Sequence, residues 1–340
     1  MFRTEEIFDM LFSRTVSGEG KKRLFGELAE EENRTLLHEK LCGRSFSMLF
    51  LECPLSGKVG FDLHIVHSGE AIRRGIPFAE NVYGDHGQLF TWFAEEDRGA
   101  DGLDVVYDLR EGLYTPPMVY LKSSGEATEI CEGFFRHVGS EEAAARFHGK
   151  QAQLPSGWNT WYTGVHTGRK GKPLRIGSLL SDDLKSRYAG NIIAFEEDLG
   201  KIGFPVPLSP VMRDKLHSLF CFPFPLDIQI DVMDDGRVSD VLGVSLVTGD
   251  IGRNALAASF DGGAVEDLMR LCTSWGIADD RWKHIPPATF AVSMFHSAAS
   301  GGKQRLILSS HIGYFKVRFR GSDDSAIEAK TYFRLQAVTI

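Results

Sequence analysis

Two stretches near the end of the chain alternate between apolar and polar side chains, the first of them strictly. Residues 315–320 read Phe-Lys-Val-Arg-Phe-Arg, and residues 330–335 nearly repeat the pattern as Lys-Thr-Tyr-Phe-Arg-Leu. Because successive side chains of a β-strand point to opposite faces, this pattern predicts a two-faced hairpin. The apolar face carries Phe315, Val317, Phe319, Phe333 and Leu335, and the polar face carries Lys316, Arg318, Arg320, Lys330, Tyr332 and Arg334. A sheet that packs on one side and is exposed to solvent on the other gives the same pattern. We therefore ask whether other strands repeat the alternation.

The alternation recurs in strand pairs along the chain. Residues 226–232 read Leu-Asp-Ile-Gln-Ile-Asp-Val, followed by an Asp-Asp-Gly turn and an apolar return, which is typical of a β-hairpin. Five pairs are predicted, most of them separated by helical segments: 46–52 with 60–67, 103–109 with 117–122, 158–167 with 174–180, 226–232 with 241–247, and 313–320 with 327–335. Helices are predicted over 17–40, 88–94, 126–148 (as two helices), 182–202 (as one), 209–222 and 263–275. Apolar stretches at 289–294 and 305–308 are strand candidates without a place in this scheme.

A repeated helix–strand–strand–helix unit favours one fold class over its competitors. The strands of a doubly wound parallel sheet would be nearly continuous apolar runs, and a β-sandwich would lack the helices. A ten-stranded antiparallel sheet tends to curl, and closing it removes its exposed edges. We therefore predict an α+β fold in which residues 1–340 form a single domain, a ten-stranded antiparallel barrel of αββα units with the helices outside.

Closure of the barrel would turn the polar face of the sheet into the lining of an enclosed lumen. Besides the basic hairpin, that face carries Asp62, His64, Asp104, Asp108, Tyr120, Lys122, Tyr162, His166, Arg175, Asp227, Gln229, Asp231 and Ser245. Buried polar and charged groups need partners or a ligand, so such a lumen would be a candidate binding site. The alternative is a mixed α+β protein whose polar strand faces simply meet water.

The composition of the chain limits the cellular compartment and the classes of partner that we expect. The chain has 38 Lys and Arg against 46 Asp and Glu, a formal net charge of −8, so general attraction to nucleic acid or to an anionic membrane is not expected. The five cysteines are widely spaced and never form a CxxC pair, which favours reduced thiols. No N-terminal signal and no apolar run of about 20 residues appear, which predicts a cytoplasmic protein without a membrane span. The oligomeric state is left open.

The order of elements resembles that of the ABBA, or PT-barrel, prenyltransferases, whose five αββα repeats enclose ten antiparallel strands around a polar chamber. Three short motifs carry the resemblance: Leu-Glu-Cys-Pro at 51–54, Lys330 with Tyr332, and Lys-Val-Arg at 316–318. The first is similar to the strand on which indole-modifying members carry a glutamate that acts on the acceptor, which makes Glu52 its analogue. The basic pairs are similar to family strands that hold diphosphate oxygens.

The resemblance implies a metal-independent transferase that moves a prenyl or similar activated group from a small-molecule diphosphate to an aromatic or peptide acceptor. Such transfer needs cations or phenols around the leaving oxygens, apolar or aromatic walls for the carbocation, and a carboxylate for the acceptor's proton. We expect Glu52 to be that carboxylate. The expected substrate-binding residues are His64, Lys122, Tyr162, Arg175, Asp227, Lys316, Arg318, Lys330 and Tyr332.

Two acidic strands depart from the family pattern. Asp62 stands on a strand where an arginine is usual, and Asp227 and Asp231 stand where the fourth strand pair would be basic. Because carboxylates repel a diphosphate, a different donor or a non-prenyl ligand is left open. The alternative function is a non-catalytic protein of a natural-product or ribosomal-peptide pathway that binds a peptide or an anionic metabolite.

No metal ion and no cofactor are predicted. The aspartate pairs of the chain fall at a helix start and in turns, where aspartate caps helices and shapes turns. His64 and His67 lie three residues apart on a predicted strand, so their side chains point to opposite faces.

Overall fold

The computed structural model describes residues 48–73, 87–96, 100–109, 117–123, 128–138, 141–166, 168–169, 171–249, 259–297, 303–322 and 325–339. Its strands are β1 (Met48–Pro54), β2 (Asp62–Ser68), β3 (Gly102–Tyr107), β4 (Met118–Lys122), β5 (Trp158–Val165), β6 (Leu174–Leu180), β7 (Leu226–Val232), β8 (Val238–Val247), β9 (Phe290–Ser297), β10 (Lys303–Arg320) and β11 (Ser325–Thr339). Its helices are α1 (Gly69–Arg73), α2 (Gly87–Glu95), α3 (Thr128–His137), α4 (Glu141–Gln151), α5 (Asp182–Gly190), α6 (Ile192–Lys201), α7 (Pro210–Phe220), α8 (Ala264–Ser274) and α9 (Ile285–Ala288), with a 3₁₀ helix at Asp280–His284. The helix predicted over 17–40 lies outside the described residues, as does Cys42.

Ten of the strands form a closed antiparallel barrel, as predicted. Strands β1 to β8 pair in chain order, β8 pairs with β10, and β10 pairs with β11. The barrel closes where β11 pairs with β1, from Leu49 opposite Leu335 to Pro54 opposite Lys330. The first and last strands of the described chain are therefore hydrogen-bonded neighbours, and no edge is exposed along this seam.

The two apolar stretches without a predicted place form an addition to the barrel. Among the described strands, β9 pairs with the first half of β10 alone, over residues 303–310. The second half of β10, over residues 314–320, pairs with β8. Strands β10 and β11 pair with each other over residues 306–320 and 325–339, so the hairpin predicted from the alternation is the end of a longer one.

The alternation of the strands separates two environments. Outward-facing side chains such as Leu51, Val317 and Phe333 are buried with helix side chains such as Phe90 and Phe195 in one large apolar cluster. Burying a side chain of this size contributes about 1.5–3 kcal/mol, so this cluster between sheet and helices holds the barrel together. The inward-facing side chains are mostly polar and lie apart from that cluster.

The prediction of a single helix over 182–202 is wrong. The chain instead forms α5 and α6, separated at Asn191, whose backbone is extended with φ −153° and ψ 92°. The Asn191 side chain accepts a hydrogen bond of 3.2 Å from the backbone N–H of Ile193 and caps α6. Asparagine favours cap positions because its side chain competes for backbone hydrogen bonds, which explains the break.

Candidate functional site

The inside of the barrel encloses a cavity of about 530 Å³, here called the chamber. Inward-facing side chains of barrel strands and adjoining loops form its wall, and none of the helices in the described ranges contributes. The wall includes every residue that the sequence suggested for the site: Glu52, His64, Lys122, Tyr162, Arg175, Asp227, Lys316, Arg318, Lys330 and Tyr332. A concave space of this size accommodates a small molecule.

Glu52 on β1 is the centre of a polar cluster that joins the first two strands to the last. Lys330 of β11 donates to one carboxylate oxygen, and His64 Nε2 lies 3.1 Å from the other. Tyr332, directly opposite Glu52 in the strand register, also hydrogen-bonds to it. Burial opposes the charge of the carboxylate, but the neighbouring cations, Lys330 foremost, outweigh burial and hold the pKa of Glu52 well below its ordinary value. Glu52 is therefore ionised at neutral pH.

Lys316 on β10 has a neutral hydrogen-bond partner. Its Nζ donates to Gln229 Oε1, and the same oxygen lies 3.2 Å from the Tyr162 hydroxyl. Burial and then the positive charge of Arg175 lower the pKa of Lys316 to about 7. This amine therefore changes its charge within the physiological pH range.

Asp227 on β7 is a second group that titrates near neutral pH. Trp161 Nε1 donates to its Oδ1 at 2.9 Å, and the Tyr162 hydroxyl lies 3.4 Å from its Oδ2. Burial raises the pKa of Asp227 to about 6, although these hydrogen bonds and Lys316 act in the opposite direction. A carboxyl group with such a pKa can exchange a proton with a ligand near pH 6.

Arg175 on β6 is fixed by a bidentate ion pair with Asp231 of β7. Its Nε and Nη2 donate to the two carboxylate oxygens at 2.8 and 2.9 Å, and its Nη1 donates to the Tyr120 hydroxyl at 3.0 Å. Burial opposes both charges, yet each partner favours the charged form of the other: the pKa of Arg175 is raised and that of Asp231 lowered. A bidentate pair also fixes the orientation of the guanidinium, so Arg175 presents Nη1 to Tyr120 in a defined direction.

His166 continues this hydrogen-bond chain behind the wall. The Tyr120 hydroxyl lies 3.1 Å from His166 Nε2. Burial and then Arg175 lower the pKa of His166 well below its ordinary value, and burial raises that of Tyr120 to about 12, so a neutral phenol and a neutral imidazole share this hydrogen bond. The alternation placed His166 and Asp231 on the inward face, but neither forms part of the chamber wall. Both support groups that do.

Carboxylates neutralise most of the chamber's cations. Besides the pairs of Lys330 and Arg175, the wall contains Lys122 with Asp104 at 2.7 Å, Arg169 with Asp108 at 2.5 Å, and Arg318 with Glu328 at 2.7 Å. Lys316 stands apart from this pattern because its partner is an amide oxygen. An anionic ligand must therefore compete with carboxylates at these paired cations and meets less competition at Lys316.

Aromatic rings cover much of the remaining wall. Tyr314 stacks on Tyr332 with ring centroids 3.9 Å apart, and Phe50 lies 5.9 Å from Tyr314. Tyr120 and Tyr162 meet edge to face at 5.7 Å. Aromatic faces attract cations and stack on planar groups, so these rings suit a carbocation or an aromatic ligand.

Two glycines make room for the tyrosines on neighbouring strands. Gly164 lies opposite Tyr120, and Gly177 lies opposite Tyr162. A Cβ atom at either glycine would overlap the ring of its partner. The tyrosine rings thus lie over bare backbone, and the glycines define the width of the chamber there.

Replacing Gly177 with alanine is expected to destabilise the protein by about 1–3 kcal/mol, because the added methyl group must displace the Tyr162 ring. Chemical denaturation measures the change. The matched control is Gly149→Ala in α4, where nothing lies within 4 Å of the added Cβ. That change is expected to stabilise the helix by about 0.5–1 kcal/mol. Equal stability of the two variants would contradict the close approach of ring and backbone.

The sequence interpretation missed several residues of the wall. Tyr314 lies on the same strand face as Lys316, so the period of two contained a signal for it. Trp161 is adjacent to Tyr162, yet both line the chamber. The strand register shifts between Thr160 and Tyr162, and such a β-bulge turns neighbouring side chains to one side. Strict alternation excludes that arrangement.

The histidines that are close in sequence separate as expected. His64 lines the chamber, whereas His67 is buried on the other face of β2 and packs edge to face on Phe90 at 5.2 Å. Across the described ranges, no three His, Cys, Asp or Glu side chains are arranged to hold a metal ion. The four cysteines within these ranges, Cys53, Cys131, Cys221 and Cys272, are free thiols.

The fold and the chamber define this molecule as a closed, ten-stranded antiparallel barrel with outer helices and an enclosed, largely ion-paired polar interior. That architecture is compatible with a PT-barrel. No protein-family model matches the chain, and no curated protein matches it in sequence. In the part of the chain that the structure describes, no helix combines the length and apolar character needed to cross a bilayer.

Proposed function

We propose that this protein is a metal-independent transferase that moves a prenyl or similar activated group from a diphosphate donor to an aromatic or peptide acceptor inside the chamber. The observation that carries the proposal is the convergence of Glu52, Lys330 and Tyr332 with Lys316 on one enclosed wall. These groups come from β1, β10 and β11, and the closing seam of the barrel brings them together.

The leaving diphosphate would contact Lys316 first. Among the described residues this amine forms no ion pair with a carboxylate, and its hydrogen bond to a neutral amide is readily exchanged for one to a phosphate oxygen. Tyr162 donates its hydroxyl hydrogen toward the same amide and supplies a second donor nearby. The stacked rings of Tyr314 and Tyr332 would stabilise the allylic cation released on the other side.

Glu52 would take up the proton that the acceptor loses. Its low pKa makes it a weak base, but the proton of an alkylated aromatic cation is strongly acidic, so a weak base suffices. The contact with Lys330 fixes the carboxylate in place and keeps it charged. Acceptors would therefore lie near the seam between β1 and β11.

Stabilisation against heat by dimethylallyl, geranyl and farnesyl diphosphates tests this proposal. A donor that binds the folded state is expected to raise the melting temperature, and at 100 times its Kd it adds about 2.7 kcal/mol to the free energy of unfolding. Release of pyrophosphate on adding indoles, phenols or aromatic peptides would then show transfer. No shift with any of the three donors well above micromolar concentration would refute prenyl transfer and favour the binding function described next.

The second candidate is a non-catalytic binding protein for a peptide or an anionic metabolite of a natural-product pathway. The ion pairs of Lys122, Arg169 and Arg318 favour it, because a chamber whose cations are already neutralised is less suited to a diphosphate. Binding without pyrophosphate release, in the presence of every acceptor that stabilises the protein, would distinguish this function from transfer.

Affinity for inorganic pyrophosphate is expected to fall as the pH rises above 7. A bound anion raises the pKa of Lys316 above its ligand-free value of about 7, so binding takes up a proton. Above pH 7 the free amine is neutral and must be protonated on binding, which raises Kd up to about tenfold per pH unit. Titration calorimetry between pH 6 and 9 measures this slope.

Lys316→Arg is the control for that slope. Arginine keeps its charge throughout this range, so the variant retains the pH dependence of pyrophosphate itself and loses the part due to Lys316. Identical slopes for both proteins would show that Lys316 does not contact the anion.

A further inference from the structure

Lys316 differs from the paired cations of the chamber in what surrounds its amine. The residue is 7% exposed, lines the chamber, and donates from Nζ to Gln229 Oε1. Lys330 and Lys122, the other two lysines on the wall, each contact a carboxylate. Among the described residues, Lys316 has no such ion pair. Its charged form is therefore the least stabilised of the three.

The charges around Lys316 favour its neutral form. Burial comes first, followed by the positive charge of Arg175, and Lys330 and Arg318 add to it, which together lower the pKa of Lys316 to about 7, although the negative charges of Glu52 and Asp227 act the other way. About half of the amine is therefore neutral at pH 7. An ordinary exposed lysine, with a pKa near 10.4, is neutral only to about 0.04% at that pH. A neutral amine has the free electron pair that a nucleophile needs.

We propose that Lys316 is a covalent attachment site that forms an imine with an aromatic aldehyde or ketone admitted to the chamber. Tyr314 lies two residues earlier on the same strand face and stacks on Tyr332, which provides an aromatic surface beside the amine. The Tyr162 hydroxyl approaches the same Gln229 amide oxygen at 3.2 Å, so a second aromatic side chain meets the hydrogen-bond partner of the amine. The proposal needs neither a diphosphate nor a role for Glu52, so it does not rest on the transferase.

The step is balanced without any further reactant. The Nζ electron pair attacks the carbonyl carbon, a C–N bond forms, and the carbonyl π electrons move to the oxygen, which is protonated as the nitrogen loses a proton. The resulting carbinolamine then loses its hydroxyl group as water, and the C=N bond forms. Asp227, whose pKa is about 6, lies in the hydrogen-bond network of Tyr162 and supplies the proton for the departing hydroxyl. The iminium nitrogen then returns a proton to the Asp227 carboxylate, which restores the acid and leaves the neutral imine.

Reductive trapping with benzaldehyde and sodium cyanoborohydride tests the proposal on the whole protein. After brief treatment at pH 7, peptide mapping by mass spectrometry is expected to find Lys316 labelled at least about tenfold faster than any other lysine. The difference in neutral fraction is about 10³-fold, and restricted access reduces it. An α-amino group has an ordinary pKa near 8, so labelling at a peptide N-terminus serves as a reference rate. The labelling rate of Lys316 should level off above pH 8, where its amine is already neutral. The labelling rates of exposed lysines should continue to rise up to pH 10.

Two variants test whether the fast labelling belongs to Lys316. Lys316→Arg removes the nucleophile while keeping a cation, and it is expected to abolish the fast labelling. Lys122→Arg is the matched control, because Lys122 lines the same chamber but is ion-paired with Asp104, and fast labelling is expected to persist. The map of the unmodified protein is decisive even if a variant fails to fold. Labelling of Lys316 no faster than that of other lysines, or fastest at Lys330 or Lys122, would overturn the proposal.

Discussion

Replacement of Arg175 by methionine is expected to lower the free energy of unfolding by about 3–5 kcal/mol at pH 7. Methionine fills a similar volume but leaves the Asp231 carboxylate, which is 14% exposed, without its bidentate partner. It also removes the donor that fixes the Tyr120 hydroxyl. Urea denaturation followed by tryptophan fluorescence measures the loss.

The pH dependence of this loss identifies its cause. In the folded protein Arg175 lowers the pKa of Asp231, so the pair stabilises the fold above the ordinary aspartate pKa of about 4 and loses that contribution as the pH falls further. In the variant the lone carboxyl takes up a proton more readily, so the two proteins are expected to differ less at pH 4 than at pH 7. A difference that is independent of pH would indicate lost packing and not an unpaired charge.

Two comparisons complete this test. The double variant Arg175→Met/Asp231→Asn has no unpaired charge, so it is expected to recover part of the loss. Arg270→Met breaks an ion pair with Glu266 on the surface of α8, where Arg270 is 70% exposed, and it should scarcely change the midpoint of unfolding.

Replacement of Glu52 by glutamine is expected to lower the rate of group transfer by about 10²–10⁴-fold, if the protein is the proposed transferase. Glutamine retains the size of the side chain and a carbonyl oxygen for Lys330, but it cannot take up the acceptor's proton. The rate of pyrophosphate release at saturating donor, with an acceptor that supports turnover in the unmodified protein, measures the effect. Donor binding is expected to persist, because the exchange removes a negative charge from the chamber.

Glu328→Gln is the matched control for this variant. Glu328 lies 3.1 Å from the Nζ of the same lysine, Lys330, and lines the same chamber. This substitution therefore removes a comparable charge but leaves the proposed proton acceptor intact. The transfer rate is expected to change by less than tenfold. An unmodified rate in Glu52→Gln, or equal losses in both variants, would show that Glu52 does not take up the proton.

Much of the barrel was predictable because the alternation of side chains is a local property. The run Leu-Asp-Ile-Gln-Ile-Asp-Val at 226–232 forms β7 with those bounds, and 174–180 forms β6. The same period identified the inward side chains of both strands of the closing hairpin, including Lys316 and Tyr332. Period-two patterns survive folding because the pleat of a strand fixes them residue by residue.

Two of the misses occur where a local rule met a non-local constraint, and the third has a local cause. Trp161 turns inward because of a bulge, and the bulge depends on the pairing of β5 with β6. The strand at 290–297 had no partner in the repeat scheme, and the extended first half of β10 provides one. The helix over 182–202 breaks at Asn191, where a local capping hydrogen bond replaces the helical one.

By itself, the sequence of this protein determined which side chains share a face, and hence that a closed sheet would have a polar interior under an outer layer of helices. Only the tertiary structure decided which charges meet inside. Glu52 and Lys330 are 278 positions apart, and they touch because β1 and β11 form the closing seam. Lys316 of β10 likewise donates to the amide of Gln229 on β7 because β8 pairs with both of these strands. Ion pairing across the closing seam depends on which strands become neighbours, and no local pattern specifies that for strands at opposite ends of the described chain.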